Sequence, residues 1–280
     1  MKNILVVITT AFVPTGGLTT VMMNYYRMMN KEEVKIDFAS TNNPPQVLLD
    51  EIHASGSEYY QLSDRKNVLA YFFALKKLCR GYDAIHVHAN SAMAVMELQA
   101  AIWAGIKIRI IHNHSSRSQH NLLNQLFLSL YRRSFTQAVA CSDEAGEWLY
   151  GKNGFITLRN AINAKRFKFD VVKRLIMRHN FGFGDDEYVI GHIGKFMEAK
   201  NHSFLIEVFA KYHALQPKSK LLLIGDGELR HLVEAAIDKN KVNDCVILAG
   251  LRSDISDVLQ AMDIFLFPSI YEGMPLSVVE

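Results

Sequence analysis

Ile4-Leu5-Val6-Val7-Ile8-Thr9 is an unbroken apolar run closed by a threonine. A strand with one wet face would alternate apolar and polar residues. A continuous run of this length suits a parallel strand covered on both faces. Thr15-Gly16-Gly17-Leu18 follows, and residues 18–29 then space their apolar side chains as a helix does. A buried strand, a glycine turn and a helix make one βα unit, and a series of such units builds an open parallel sheet.

The series is present. Residues 34–39, 84–88, 107–112 and 137–140 read as further strands, and 67–79, 92–104 and 122–135 as helices. The charged stretch 164–186 interrupts the pattern, and 159–186 reads as an interdomain connection. A second series follows, with strands expected at 188–193, 220–224, 245–249 and 264–267. The expectation is an α/β chain of two Rossmann-like doubly wound domains, residues 1–165 and 166–280. The second has four strands where a full sheet of this type has about six. Two more βα units need roughly 60–90 residues, so the C-terminal domain is expected to be incomplete and the chain a truncated form.

Apolar residues make up 49% of the 280, enough for a sizeable core, and the net charge is +3. There is no dense Lys/Arg run, so no nucleic-acid partner is expected; a small anion or a membrane surface fits better. Cys79, Cys141 and Cys245 lie far apart and form no CxxC. They read as reduced core residues of a cytoplasmic protein. The first apolar run is too short for a signal sequence, and no stretch approaches the about eighteen apolar residues of a membrane span.

Four features carry chemistry. Gly16 and Gly17 stand between a strand and a helix, where backbone N–H groups can approach an anion; a tight βα turn explains them equally well. Lys195 and Lys200 stand between the strand ending near Ile193 and a helix starting near Asn201. Two ammonium groups at the carboxyl edge of a parallel sheet suit a diphosphate. His86/His88 and His112/His114 are His-x-His pairs, and on a strand such residues share a face. Zinc would want further ligands, and neither a cysteine cluster nor a Glu-x-x-His beside the two pairs offers them; Glu228-Leu229-Arg230-His231 lies far along the chain. No metal is therefore expected, and His86, His88 and His112 read as hydrogen-bonded packing at strand ends. His114 falls on the loop beyond. Finally, Glu272 and Glu280 bracket Gly273-Met274-Pro275-Leu276. Carboxylates accept hydrogen bonds from hydroxyls, and the turn between them offers backbone N–H groups.

Glu272 to Glu280, with seven residues between, resembles the E-x7-E motif of retaining family 4 glycosyltransferases with the GT-B fold. The other pieces fit in order. Gly16-Gly17 is similar to the family's glycine loop, and His112-Asn113-His114-Ser115 to its H-x-H stretch. Arg159-Asn160-Ala161-Ile162-Asn163 resembles its P-N-G-I-D segment. Lys195 with Lys200 resembles its G-R-x(4)-K-N element, and Leu222-Leu223-Ile224-Gly225-Asp226-Gly227 its L-x-G-D-G strand end. The likeness extends over essentially the whole chain.

The resemblance implies transfer of a sugar from a UDP- or GDP-linked donor, with retention, to a glycan or lipid-linked acceptor of cell-surface polysaccharide or capsule synthesis. It implies that the donor lies mainly on the C-terminal half. Lys195 and Lys200 would neutralise the leaving diphosphate, with backbone donors from Gly16 and Gly17. Glu272 and the amides of Gly273, Met274, Pro275 and Leu276 would meet the donor sugar, although proline has no N–H to give. Glu280 would hold the ribose, and His114 would be the catalytic-region histidine, with His112 as fallback. No cofactor beyond the donor is implied, and the D-x-D of metal-dependent GT-A enzymes is missing from the sequence. Location would be cytoplasmic, with peripheral contact at the inner membrane face. Lys195 replaces the family's usual Arg, which loses a planar two-pronged donor. A second reading fits the same pattern: a truncated, catalytically inactive relic or binding subunit, the 280-residue form being expected to bind donor weakly. A sugar-nucleotide epimerase of similar architecture would not be expected to carry this E-x7-E context.

Overall fold

The computed structural model describes residues 1–117 and 121–280 and divides into two compact units, Met1–Ala161 and Ile162–Glu280. Unit 1 contains β1 (Lys2–Ile8), α1 (Gly17–Met28), β2 (Val34–Ser40), α2 (Gln46–Ala54), β3 (Tyr59–Gln61), α3 (Val68–Cys79) and β4 (Ala84–Ala89). It continues with α4 (Val95–Ala104), β5 (Ile108–Asn113), α5 (Asn121–Ser134), β6 (Gln137–Ala140), α6 (Asp143–Tyr150) and β7 (Phe155–Thr157). Its sheet is all parallel, in the order β3-β2-β1-β4-β5-β6-β7. Leu5, Val6, Val7 and Ile8 are each buried, as the opening run requires. β3 and β7 were not expected. Each is a three-residue edge strand, shorter than the runs of about four to eight that carry a strand signal.

Unit 2 contains α7 (Val171–Phe181), β8 (Tyr188–Ile193), α8 (His202–Leu215), β9 (Ser219–Ile224), α9 (Arg230–Asn240), β10 (Val246–Leu248), α10 (Ile255–Val258), β11 (Ile264–Phe265) and α11 (Leu276–Val279). Its four parallel strands run β10-β9-β8-β11. β9 shows why these strands are apolar throughout. Leu221 and Leu223 pack with Leu205, Phe209 and Val233 on one face, while Leu222 and Ile224 pack with Met177, Val189 and Val258 on the other.

The structure corrects the expected connection over 159–186. The division falls at 161/162, before the expected 165/166, because α1 holds the chain as far as Ala161. Asn24 Nδ2 donates to the Ala161 carbonyl at 2.9 Å and the Tyr25 hydroxyl to that of Arg159 at 2.6 Å. Beyond this point the chain is already part of unit 2, since Gln260 accepts the Asp170 N–H at 3.0 Å. The charged stretch is then a helix rather than a linker. Asp170 caps α7 by accepting from the N–H groups of Val172 and Lys173, and Gly182, at φ 73°, closes its C-terminus.

A buried arginine fixes that helix. Arg178 is 5% exposed and donates to the carbonyls of Gly184, Glu187 and Ala261 and to Asp263 Oδ2 at 3.2 Å. Asp263 also accepts from Arg174 and from the Val189 N–H. Burial alone would raise the Asp263 pKa, but the Val189 N–H and the two guanidinium groups together hold it below its ordinary value. One carboxylate thus ties α7 to the starts of β8 and β11. Arg178→Ala should lower the unfolding free energy by on the order of 3 kcal/mol, since it strands a shielded carboxylate and several carbonyls. Asp263 titrates lower in the folded state, so its contribution is present above about pH 4 and drains away below that. Urea unfolding followed by circular dichroism at pH 7 checks the first point and at pH 3 the second; an unchanged midpoint for Arg178→Ala refutes the clamp.

Candidate functional site

In unit 2 the strand order reverses at β8, which has β9 on one side and β11 on the other. The crevice outside the carboxyl ends of strands at such a reversal is where open α/β sheets bind ligands. Two segments leave the sheet there, 194–201 after β8 and 266–280 after β11.

The first segment is held by backbone bonds. Gly194 N–H donates to the Ile224 carbonyl at 2.9 Å and Phe196 N–H to that of Asp226 at 3.0 Å. A single 3-10 turn over Glu198–Lys200 follows, and Asn201, at φ 56°, redirects the chain into α8. Asparagine tolerates this left-handed conformation better than most residues. The second segment docks on the first where Ile270 N–H donates to the Ala199 carbonyl at 2.8 Å.

This docking brings Lys200 and Glu272 together, Nζ to Oε1 at 2.8 Å, with the side chains 15% and 25% exposed. The Lys200 ammonium also stands 4.7 Å over the Phe267 ring. Lys195 is differently placed. It is exposed and reaches Glu228 at 3.6 Å, a pairing that contributes little in water. The two lysines named together in the sequence are thus one half-buried, closely paired cation and one exposed, loosely paired one. Glu280 is also set apart from Glu272. Its N–H bonds to the Leu276 carbonyl at 2.8 Å, and its side chain lines a cleft with Phe167, Phe169, Met262 and Phe265. Burial raises its carboxyl pKa, opposed by Arg166. Gly273, Met274, Pro275 and Leu276 form the half-buried turn between the two glutamates.

Two glycines make this packing feasible. A Cβ on Gly225, at φ 140°, would lie 2.0 Å from the Gly194 carbonyl oxygen, and one on Gly227 would lie 2.5 Å from that of Phe196. His192 and His202, which the sequence reading passed over, sit beneath the lysine loop. Both are buried, and His192 Nδ1 lies 2.8 Å from the Leu266 carbonyl. Burial pushes their pKa values down to about 3 and about 4, with Lys200 adding to both, so they are neutral at pH 7. The sign available in the sequence was Gly191-His192-Ile193-Gly194 ahead of Lys195.

In unit 1, Gly16 precedes α1, and its N–H bonds to the Val13 carbonyl at 2.9 Å. A Cβ there would press on Val13 and Thr19, whereas one on Gly17 would meet open space. The first turn of α1 has neither a side-chain cap nor an acidic residue, which suits an anion. His114 lies just past β5, and its Nε2 is 2.9 Å from His88 Nδ1. Burial pushes its pKa down to about 3. The reading of His86, His88 and His112 as hydrogen-bonded packing needs correction. Among the described residues only His88 finds a partner, and that partner is His114; His86 Nε2 and both ring nitrogens of His112 have none.

Residues 15–172 match the family described as Glycosyltransferase Family 4, and residues 173–280 match Glycosyl transferases group 1. "Putative glycosyltransferase EpsF" of Bacillus subtilis is 29% identical over 282 residues, 95% of this chain and 73% of that protein. The UDP-Gal:alpha-D-GlcNAc-diphosphoundecaprenol alpha-1,3-galactosyltransferase of Escherichia coli is 23% identical, over 95% of this chain and 73% of its own. Among solved structures, Anabaena HepE in complex with UDP and glucose superposes with a TM-score of 0.80 at 17% identity, over 96% of this chain and 74% of that one. WaaG, a glycosyltransferase involved in lipopolysaccharide biosynthesis, gives 0.70 at 15% identity, over 95% and 75%. These structural likenesses establish the fold, GT-B.

Gly225→Ala should cost about 2 kcal/mol or more, because it combines a strained φ with a backbone collision. Gly17→Ala, with open space at the new Cβ, should stay within about 0.5 kcal/mol. Urea unfolding and amide hydrogen exchange over 194–201 check the pair; equal, small effects would show that the close approach at Gly225 is not needed.

Proposed function

The chain belongs to glycosyltransferase family 4, and from that premise we propose that it moves a sugar from a UDP-linked donor to a glycan or lipid-linked acceptor in polysaccharide synthesis. The transfer keeps the anomeric configuration, and lysine, rather than a metal ion, neutralises the leaving diphosphate. The observation that supports this best is the Lys200–Glu272 pair, fixed at the strand-order reversal of unit 2.

Breaking the bond between sugar and phosphate sends the electron pair to the diphosphate and leaves positive charge at the anomeric carbon. A cation held in place before the reaction stabilises the departing charge without reorganising. Lys200 fits that part, because Glu272 and the Phe267 ring already restrain it. A diphosphate arriving beside Lys200 frees Glu272 to accept a hydroxyl of the donor sugar. Lys195, exposed and weakly paired, can swing onto the same phosphates. Backbone N–H groups of Gly273, Met274 and Leu276, and of Gly17, are the further donors proposed for the anion and sugar; the Gly16 N–H is already given to the Val13 carbonyl, so Gly16 serves the turn rather than the ligand. Glu280 takes the ribose hydroxyls. His114, neutral at pH 7, is assigned the contact with the sugar near the reacting carbon.

The UDP in the HepE structure and the UDP-Gal in the name of the Escherichia coli relative support a uridine donor. The diphosphoundecaprenol in that name supports a lipid-linked acceptor. WaaG and the Staphylococcus aureus capsular polysaccharide biosynthesis glycosyltransferase CapH support a surface polysaccharide. No helix among the described residues is long and apolar enough to cross a membrane. A lipid-linked acceptor would then be met by peripheral contact at the inner membrane face, from the cytoplasm.

Lys200→Ala should lower the rate of UDP release from a UDP-sugar about 100- to 1,000-fold, the usual consequence of removing one fixed donor to a developing charge. Lys195→Ala should lower it by less than about tenfold, as an exposed and loosely held charge does. The assay is run without added Mg2+ or Mn2+, and NMR of the product reads the anomer. Undiminished turnover by Lys200→Ala, or an absolute need for added divalent ion, would overturn the mechanism.

A further inference from the structure

Unit 1 carries four histidines on one patch of its sheet. His86 and His88 project from β4 on a common face, His88 is the register partner of His112 on β5, and His114 follows it. Ring centroids are 4.2 Å apart for His86 and His88, 5.0 Å for His88 and His112, and 4.1 Å for His112 and His114. No carboxylate is bonded to any of their ring nitrogens among the described residues, while His86 Nε2, both nitrogens of His112 and His114 Nδ1 are buried without a partner. Leaving a buried polar atom unpaired forfeits the hydrogen bonds it had in water. Four such atoms on one patch are not accounted for by packing.

We propose that His86, His88 and His112 form a binding site for a divalent first-row transition-metal ion, zinc or a close analogue, contrary to the expectation from sequence that no metal is bound. One ring nitrogen from each lies within 4.8 Å of the other two. Bonds of about 2.0–2.1 Å to a tetrahedral ion set nitrogens about 3.4 Å apart, so small ring rotations close the set. Three histidines satisfy such an ion and leave a fourth position for water. Imidazole binds a metal through the lone pair of its neutral form, and the unpartnered ring nitrogens here are free to offer one. An all-imidazole set favours zinc, copper or nickel and gives Mg2+ nothing it prefers.

His114 then acquires a second connection. His88 Nδ1 is taken up by His114 Nε2, so Nε2 is the nitrogen His88 has for the metal. A neutral His88 bound through Nε2 must carry its proton on Nδ1 and donate it to His114 Nε2. That leaves His114 with its own proton on Nδ1, pointing a donor where the structure shows no partner. The ion would fix the tautomer of His114, as partners of metal-bound histidines do in reverse.

The site lies wholly in unit 1 and is tested without any sugar substrate. The untagged 280-residue protein is incubated with zinc sulfate, dialysed against metal-free buffer and analysed by elemental mass spectrometry; the same protein is titrated with Co2+ and its visible spectrum recorded. The expected result is about one zinc per chain, visible Co2+ bands of a four- or five-coordinate ion, and a raised Tm with Zn2+ but not with Mg2+. His86→Gln and His112→Gln should each lower retained zinc about tenfold or more, and His53→Gln, on a distant exposed position, should not. Retention below about a tenth of an ion per chain by the unmodified protein overturns the proposal on its own, whether or not the variants fold. Undiminished zinc in a folded His86→Gln chain also overturns it.

Discussion

The geometry of the candidate donor site depends on one contact between backbones. Gly225 leaves β9 with its α-carbon against the Gly194 carbonyl, at a distance that admits no side chain. This proximity lets Gly194 bond to Ile224 and Phe196 to Asp226, so two strand exits run together for several residues beyond the sheet. Ala199 is thereby set to receive the Ile270 N–H, and only with both segments in place does Lys200 reach Glu272. A long lysine side chain has many rotamers, and ordering one costs up to about 2 kcal/mol. Here much of that ordering is done before any ligand arrives.

The same arrangement explains why Lys200 and Lys195 differ. A charge that is mostly shielded from water is costly to hold unless an opposite charge stands near. Glu272 supplies that charge at 2.8 Å, and the Phe267 ring face adds a weaker attraction. Lys195, in water, needs no such help, and its 3.6 Å approach to Glu228 fixes nothing. One lysine is therefore held in place by its surroundings, and the other stands in water with only a loose partner.

Much of this was legible in the chain itself. The apolar runs identified the long parallel strands because double-sided burial leaves no room for alternation, as Leu221 to Ile224 show. Lys200 and Glu272 could be named from motif and position. Their pairing could not, because it depends on Ile270 docking against Ala199, seventy-one positions earlier in the chain. The edge strands β3 and β7 were too short to leave a pattern. α7 was mistaken for a linker because its charged residues looked solvated. Arg178 is instead buried, and only the distant Asp263 and three carbonyls make that burial tolerable. Asp170 and Gly182 did mark the helix ends, but cap signals are weak beside a run of charge.

The histidines show the opposite use of burial. In unit 2 a carboxylate stands beside a shielded ammonium group, whereas the patch in unit 1 has no bonded carboxylate among the described residues, and desolvation pushes each ring toward neutrality. Neutral imidazole is both donor and acceptor, so a cluster of such rings is defined by the order of its protons rather than by its charge. His88 and His114 share one hydrogen bond, and its direction is undetermined so long as His88 Nε2 has no ligand and His114 Nδ1 no partner. A lone pair bound at His88 Nε2 resolves that ambiguity for the bonded pair. A ligand on β4 and β5 can thus set which nitrogen His114 presents, without touching His114 and without changing the charge of any histidine.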